Sequence, residues 1–452
     1  MPASTTESIL RRLSAGTATS AELEQRLGLS QSSVSRALRD LIRQDQVIRI
    51  GTTRGSRYAQ LRPVEGIGAR WPLRRVDEHG KVHPAGTLHA LAGTEYFLDA
   101  ARAFAPGGLT QGLPYLLQDQ RPAGFLGRAV PGRYPELALP QRVQDWSDDH
   151  YLRFLVQRGS DLVGDLILGD AALDEYLASI QRRSPLGAAE RARAYPRFAG
   201  EAMEGGLPGS SAHGEHPKFT ALLEDAAGPR HVIVKFSPTV TTPIGQRWSD
   251  LLTAEHLAHE VLRGAGVAAA HSRVERFSER TFLEVERFDR VGREGRAGVT
   301  SLYAIDSMLY GRLDNWIEGA RRLERDRRID AATLETVRLV ATFGSLIANT
   351  DRHFGNLAML DRYDGRFRLA PIYDMLPMLY APQHDELAAR EFEPPPPAAD
   401  SLGVYGRARS LAQTYWSLCA RDAGISAEFQ RIAAANQRRL EALPRTGAYA
   451  PS

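Results

Sequence analysis

The sequence predicts an α+β chain: a small helix-turn-helix unit with a basic hairpin, then a much larger body that mixes strands and helices. Three observations predict it. Residues 20–60 run helix, turn, helix, alternating hairpin in that order. Residues 205–237 set a Gly-rich stretch and two strands beside two of the chain's three lysines. Residues 349–374 hold Asp351 and Asn356 five apart, then a hairpin, then Asp374.

Length and composition bound the answer first. At 452 residues, two or three domains are expected. A hydrophobic share of 43% and a charged share of 25% are those of an ordinary globular protein. No apolar run is long enough for a membrane span, and the start "MPASTTESILRR" has no signal-peptide core, so a cytoplasmic location without membrane contact is expected. The single Cys419 excludes an internal disulfide. Of 57 basic residues only Lys81, Lys218 and Lys235 are lysines. A chain this rich in Arg that keeps a Lys points to positions where a compact ammonium is needed and a planar fork does not serve.

The N-terminal unit comes next. Ser20 is the expected cap of a first helix with Leu23 and Leu27 on one face, and Gly28 ends it. Ser30 caps a second, whose stripe is Val34, Leu38, Leu41 and Ile42. The opposite face carries Gln31, Ser32, Ser33, Ser35, Arg36 and Arg39. Short hydrogen bonders flanked by Arg suit a helix that enters a major groove, where base edges are read and phosphates fix the register. "QVIRIGTTRGSRYAQL" follows as a basic hairpin with Arg54 and Arg57, the wing of a winged helix-turn-helix. Residues 1–60 hold nine Arg against five acids, while the whole chain nets only +3. A small helical unit that binds protein or dimerises fits the same stripe; the order of elements favours DNA.

Residues 65–200 carry no catalytic spacing. "WPLRRVDEHGKVHPAGTLHAL" predicts short strands around His79-Gly80. "GTEYFLDAARAFA" and the run 148–183 predict helices, and "SPLGAAERARAYPRF" a connector.

From 205 the pattern changes. "GGLPGSSAHGEHPKFTALLED" and "RHVIVKFSP" predict a Gly-rich turn and two strands, with Lys235 ending the second. Such a turn cradles phosphates with backbone N–H groups or is a plain surface hairpin; no Walker motif is present. A strand Lys held by a helix carboxylate is a phosphoryl-transfer device, and Glu255, early on the next expected helix, is either that carboxylate or a solvated one. "RTFLEVERFDRVG" predicts a strand leaving into a loop. Asp330 caps a helix that delivers Asp351. Taking Asp364-Gly365 as a two-residue hairpin turn sets Asn356 opposite Tyr373 and beside Asp374. An amide and a carboxylate oxygen there suit Mg²⁺, and Asp351 is within reach to orient an attacking hydroxyl and take its proton. This is a kinase order of parts, with T-D and Y-D-M where R-D and D-F-G are usual. Four consecutive prolines at 394–397 predict an extended exposed loop, and two helices close the chain.

The strings "SSAHGEHPKF", "VIVKFSP", "VERFDR", "NTDRHFGNLAML" and "PIYDMLPMLY" resemble the HipA family of bacterial serine/threonine kinase toxins. The fused helix-turn-helix and "LPYLLQDQRPAGFLGR" resemble its YjjJ-like subgroup. The resemblance implies a protein-kinase-like, HipA-type bilobal fold preceded by the winged helix-turn-helix. The expected domains are residues 1–62 (DNA-binding), 63–290 (smaller lobe with Gly-rich loop and hinge) and 291–452 (helical lobe with catalytic loop). It implies ATP and Mg²⁺ as cofactors, Asp351 as catalytic residue, Asn356 and Asp374 as metal ligands, and Lys235 on the phosphates. Gly214 and Lys218 fall in the nucleotide loop, and Glu286 and Phe288 on the hinge that meets adenine. Ser211, or adjacent Ser210, matches an autophosphorylated loop Ser. The implied partners are operator DNA through residues 1–62, on which a homodimer is the assembly to expect, and a protein substrate; in several relatives that substrate is an aminoacyl-tRNA synthetase. A transcription regulator whose kinase-like part only senses nucleotide, or a small-molecule kinase, are the alternatives; the intact set Lys235, Asp351, Asn356 and Asp374 favours catalysis.

Overall fold

The computed structural model describes residues 4–53, 55–101, 104, 107–204, 216–383 and 386–444. At the N-terminus, α1 (Thr5–Leu13) precedes β1 (Ala18–Thr19), α2 (Ser20–Leu27) and α3 (Gln31–Arg43). β2 (Val47–Ile50) and β3 (Arg57–Gln60) then form a hairpin, in a sheet of order β1-β3-β2. Helix α2 is capped by Thr19 in a capping box with Glu22, one residue before the expected Ser20. Gly28, in the left-handed region, ends it, and Ser30 caps α3. Ile9, Leu13, Leu23, Val34, Leu38 and Leu41 make a small core of their own. The sequence reading missed α1, which supplies two of those six.

A five-stranded antiparallel sheet follows. It comprises β4 (Arg70–Val76), β5 (Val82–Ala90), β6 (Glu95–Ala100), β7 (Gly108–Gln111) and β8 (Leu166–Leu168), in the order β7-β6-β5-β4-β8. Short helices α4 (Gly124–Arg128) and α5 (Val130–Arg133), then α6 (Asp148–Arg158) and α7 (Asp170–Arg182), complete this unit. Within the run where a helix was expected, Glu95–Ala100 is thus a strand: Tyr96 and Leu98 point inward at period two, and Asp99 outward. The expected connector is helix α8 (Ala188–Glu204), with Pro196 inside it. Its Tyr195 donates to Glu284 Oε1 at 2.6 Å, so tertiary bonding overrides the weak local preference.

The second half holds a four-stranded sheet, β11 (Ser272–Phe277), β12 (Arg280–Glu286), β10 (Gly228–Phe236) and β9 (Lys218–Asp225) in spatial order, backed by α9 (Pro243–Gly264). A small pair, β13 (Arg290–Val291) and β14 (Gly295–Arg296), leads on to β15 (Val299–Ser301), α10 (Leu302–Leu309), α11 (Trp316–Arg325) and α12 (Ala331–Leu346). The hairpin of β16 (Ala358–Asp361) and β17 (Phe367–Leu369) follows, then α13 (Leu402–Cys419) and α14 (Ala427–Ala442). Residues 63–290 therefore contain two separate sheets. The largest core spans α9 to α14, while Leu252 on another face of α9 packs with Leu283 and Val285 of the sheet, so α9 joins two separate apolar clusters.

The hairpin register differs from expectation by one residue. Met359 pairs with Leu369, Leu360 with Arg368 and Asp361 with Phe367, which leaves a five-residue loop, 362–366. Tyr363 adopts φ +61°, its N–H donates to Asp361 Oδ1 at 2.7 Å, and Gly365 sits at φ +83°. These local bonds replace the two-residue turn at Asp364-Gly365. A slip of one would turn every side chain over. Here the chain leaves the hairpin before that matters: Ile372 N–H donates to Ala268 C=O at 2.9 Å, and this bridge, not the hairpin ladder, delivers Asp374.

Candidate active site

The centre is a buried cation between two carboxylates. On β10, Val232, Val234 and Phe236 fill a core shared with Tyr195, Phe219 and Phe282, which fixes Lys235 on the other face of the strand. Helix α9 begins at Pro243, well before the expected start, so Glu255 lies in its middle and is fully buried. Lys235 Nζ donates to Glu255 Oε1 at 2.6 Å and Oε2 at 2.8 Å, and also to Asp374 Oδ1. Burial opposes the lysine's charge, but the two carboxylates, Asp374 foremost, more than offset it and hold the ammonium above its ordinary pKa. Burial alone would raise Asp374; Lys235 and Lys218 reverse that and hold it well below the usual carboxylate range. Glu255 goes the other way: desolvation, helped by the like charge of Asp374, outweighs Lys235. Lys218 is the cross-strand partner of Lys235, so both lysines of this half meet at one point.

Asp374 has φ +51°, a strained conformation for a non-glycine residue. It is held there by Asn349, whose Nδ2 donates to the Asp374 carbonyl at 3.3 Å while its Oδ1 accepts the Asp351 N–H at 3.0 Å. One buried amide thus ties the loop carrying Asp351 to the loop carrying Asp374. Sequence reasoning passed over Asn349; the signal was a polar residue after the apolar run Leu346-Ile347-Ala348 that closes α12. Asn356 Nδ2 donates to the Asp351 carbonyl at 2.8 Å, and Tyr373 OH donates to the Gly355 carbonyl at 2.6 Å. The Asp351 carboxylate is half-exposed. Burial and the charge of Asp374 raise its pKa, against His353, whose Nε2 is 3.9 Å away. Buried His259, one turn beyond Glu255, is pushed down to about 3 by burial and by Lys235, so it is neutral.

The donor set fits a hard cation. With Asn356 Nδ2 engaged by Asp351, its Oδ1 is left as the acceptor, and Asp374 adds a carboxylate. Two oxygen donors are what a protein offers Mg²⁺ when its remaining sites go to water and phosphate.

The other expected site residues fall as follows. Glu286 ends β12, and the Phe288 ring packs at a tilt against Tyr373, the residue before Asp374, at 5.6 Å between ring centroids. Gln31, Ser32, Ser35, Arg36 and Arg39 are exposed along α3, with Ser33 partly so. Arg57 is partly exposed, and its guanidinium is engaged within the unit, donating to Thr17 Oγ1 at 2.7 Å and to the Thr17 carbonyl at 2.9 Å. Arg54, Ser210, Ser211 and Gly214 lie outside the described residues. No helix among the described residues is long and apolar enough to cross a membrane.

Comparison with known proteins agrees with this geometry. Residues 67–177 match the middle domain of YjjJ-like toxins, and residues 210–443 the HipA-like C-terminal domain. The chain is 36% identical to Toxin YjjJ of Escherichia coli (strain K12) over 430 residues, 91% of this chain and 92% of that one. A HipA from Shewanella oneidensis MR-1, solved with HipB and its operator DNA, is 14% identical. It covers 84% of this chain and 97% of its own at a TM-score of 0.53, which shows a shared fold. The fold is thus the bilobal, kinase-like one of HipA. The chain belongs to the HipA-type toxins, in their YjjJ-like branch.

Proposed function

We propose that the chain is an ATP- and Mg²⁺-dependent protein serine/threonine kinase whose N-terminal unit binds DNA. The observation that carries the reading is Lys235 bonded at once to Glu255 and Asp374, with Asp351 and Asn356 joined beside them. ATP supplies the transferable phosphoryl group, and Mg²⁺ neutralises its charge. Asn356 Oδ1 and Asp374 would hold the metal, Lys235 and Lys218 the phosphates, and the segment around Glu286 and Phe288 the adenine. Asp351 accepts the proton of an attacking hydroxyl as its oxygen bonds to the γ-phosphorus and ADP leaves with the electrons of the broken bond. A sensor that only binds nucleotide needs no base at Asp351, and the raised pKa of that carboxyl supports its role as one.

The DNA reading rests on the exposed polar face of α3 and on the operator in the complex of the HipA relative. Ser211 or Ser210 is the proposed site of self-phosphorylation: a phosphate there adds about −1.5 to −2 charges and competes with ATP for Lys235 and Lys218. The deciding experiment is transfer from γ-labelled ATP. Wild type is expected to label itself and an acceptor protein, and Asp351→Ala to bind ATP equally well and label neither. Equal labelling by both proteins would remove Asp351 from the mechanism. Operator binding is tested by mobility shift, where Arg36→Ala with Arg39→Ala is expected to weaken binding and flatten its salt dependence.

A further inference from the structure

A basic face lies outside both the proposed nucleotide site and α3. Two segments build it: the turn between α11 and α12, residues 325–330, and the loop and strand 362–368. Phe367 N–H donates to the Arg328 carbonyl at 2.8 Å, and Arg328 Nη1 to the Gly365 carbonyl at 3.3 Å, so the two segments form one surface. Together they hold six Arg against three Asp, as much net positive charge as the whole chain carries.

The three carboxylates are already engaged. Asp326 accepts the Tyr310 hydroxyl at 2.7 Å and pairs with Arg325 at 3.2 Å. Asp330 caps α12 through the Thr333 N–H at 2.8 Å, and Asp364 accepts the Arg366 N–H at 2.9 Å. Arg327, Arg362, Arg366 and Arg368 are exposed, and among the described residues none of the four has a carboxylate partner. The hairpin itself sorts its side chains. Asp361, Tyr363 and Phe367 are buried on one side, which turns Arg362, Arg366 and Arg368 to the other. Two residues along a strand span about 6.8 Å, so Arg366 and Arg368 are spaced close to the step between neighbouring phosphates of one nucleic-acid strand. The backbone beneath them is fixed: Tyr363 is inserted in the core of the five-stranded sheet, and its hydroxyl bonds Asp165.

The composition of the face selects its partner. Protein interfaces centre on aromatic or aliphatic anchors. Among the described residues, no large exposed apolar side chain falls in either segment. A membrane surface likewise calls for an apolar face or a lipid chain beside the charge. Duplex phosphates need neither, because Arg supplies both affinity and orientation there.

The mounting favours DNA over RNA. Strand β4 carries both the N-terminal unit and the hairpin tip. Arg70, at its start, is ion-paired with Asp45 just beyond α3, and Arg75 lies over the Tyr363 ring at 5.6 Å. The five strand residues from Arg70 to Arg75 span about 17 Å. One turn of B-DNA is about 34 Å, so a duplex held by α3 is long enough within a single turn to meet the basic face.

We propose that this face is a second DNA contact, taking backbone phosphates that flank the segment read by α3. The proposal rests on the DNA reading above and adds to it a surface built by the α11–α12 turn and the hairpin.

The test begins with the full chain selecting its site from a library of random DNA duplexes. Fluorescence anisotropy then measures binding to that site as a short duplex, and again with flanks of about one and a half helical turns on each side. Arg362→Gln, Arg366→Gln and Arg368→Gln are combined in one variant. The control combines Arg182→Gln, Arg193→Gln and Arg197→Gln, exposed on α7 and α8, for the same loss of charge. The hairpin variant is expected to bind the short duplex within about twofold of wild type and the flanked duplex at least about tenfold more weakly. Its salt slope on flanked DNA should be smaller by about two to three, at roughly 0.9 per lost phosphate contact. The control is expected to match wild type on both duplexes, and Arg36→Ala with Arg39→Ala to weaken binding to both. Wild-type affinity of the hairpin variant for flanked DNA, or a loss no larger than the control's, would overturn the second contact and leave the reading of α3 standing. So would a loss confined to the same sequence presented as an RNA duplex. A wild type that selects no site would overturn the reading of α3, and this contact with it.

Discussion

The two ends of the hairpin that joins Asn356 to Asp374 are buried in opposite ways. At the open end, Asp374 and Glu255 share Lys235, and opposite charges sit within direct hydrogen-bonding distance. At the tip, Asp361 and Asp165 are two carboxylates in one buried neighbourhood. Tyr363 reaches over to Asp165 Oδ1, and Asp165 also bonds Arg75 Nε at 2.7 Å. The Tyr363 ring is part of the core of the five-stranded sheet, 4.6 Å from Phe104 between centroids. The open end is thus held by charge compensation and the tip by insertion into a neighbouring unit. A site that handles phosphate needs its charges kept ionised. A mechanical anchor does not, and there desolvation wins: burial and Asp165 push Asp361 up to about 6.

The tip also links the hairpin onward. Ile48, Ile50, Ala59 and Leu61 of the N-terminal unit pack with Ala69, Leu91 and Phe97 of the sheet that receives Tyr363. The same unit grips the helical lobe again where Asp119 accepts the Ser301 N–H and hydroxyl, both at 2.6 Å.

The largest break is expected at the open end. Glu255→Gln leaves Lys235 with Asp374 alone in a buried site. Losing one partner of a buried pair costs about 3–5 kcal/mol. Because the lysine is no longer aimed, phosphate transfer should fall about 100-fold, the scale of a 1 Å misplacement. Chemical denaturation and transfer kinetics on one preparation check both. Unchanged transfer would show that Asp374 alone positions Lys235.

Next in size is the tip. Tyr363→Ala empties an aromatic site in the sheet core and strips Asp165 of a donor, for about 3–5 kcal/mol by the usual cost of aromatic truncation. Transfer measured well below the melting point should fall far less than in Glu255→Gln, because no group on the phosphates changes. A loss of transfer as large as the Glu255 variant's would mean that the two ends are not separable.

The contrast also explains what was legible in the sequence. Lys235, Glu255, Asp351, Asn356 and Asp374 could be picked out because charge, scarcity and spacing mark them: a lone Lys on a strand, an Asp and an Asn five apart. The tip could not. Tyr363 and Asp165 are 198 residues apart, and neither has a local pattern to advertise the pair. The hairpin register was misread for a related reason. Asp364-Gly365 is a strong turn signal in isolation, but the side chain of Asp361 captures the Tyr363 N–H and lengthens the loop. The strand at Glu95–Ala100 was decided by pairing with its chain neighbour β5, and the helix at Ala188–Glu204 by a partner far away in the chain, Glu284.

The smallest effect sharpens the comparison by pH. Asp361 faces Tyr115 and Thr300 at 3.4 Å each, the Tyr363 N–H, and Asp165. Its folded pKa is about 6 against an ordinary 3.8, so between these values the folded state holds a proton that the unfolded chain has released. Stability contributed by this group is therefore greatest below pH 4, falls as pH rises toward 6, and is at its minimum above that. At one pKa unit per 1.36 kcal/mol, the cost at pH 7.5 is at most about 3 kcal/mol. Asp361→Asn keeps an acceptor for the Tyr363 N–H and removes the charge, so the variant should gain most over wild type at pH 7.5, about a third as much at pH 4.5, and nothing below about pH 3.5. Thermal unfolding of the two proteins across that range reads the difference directly. A gap that stays constant with pH, or that widens toward acid, would show that Asp361 is ionised throughout and that the tip, like the open end, is charge-compensated.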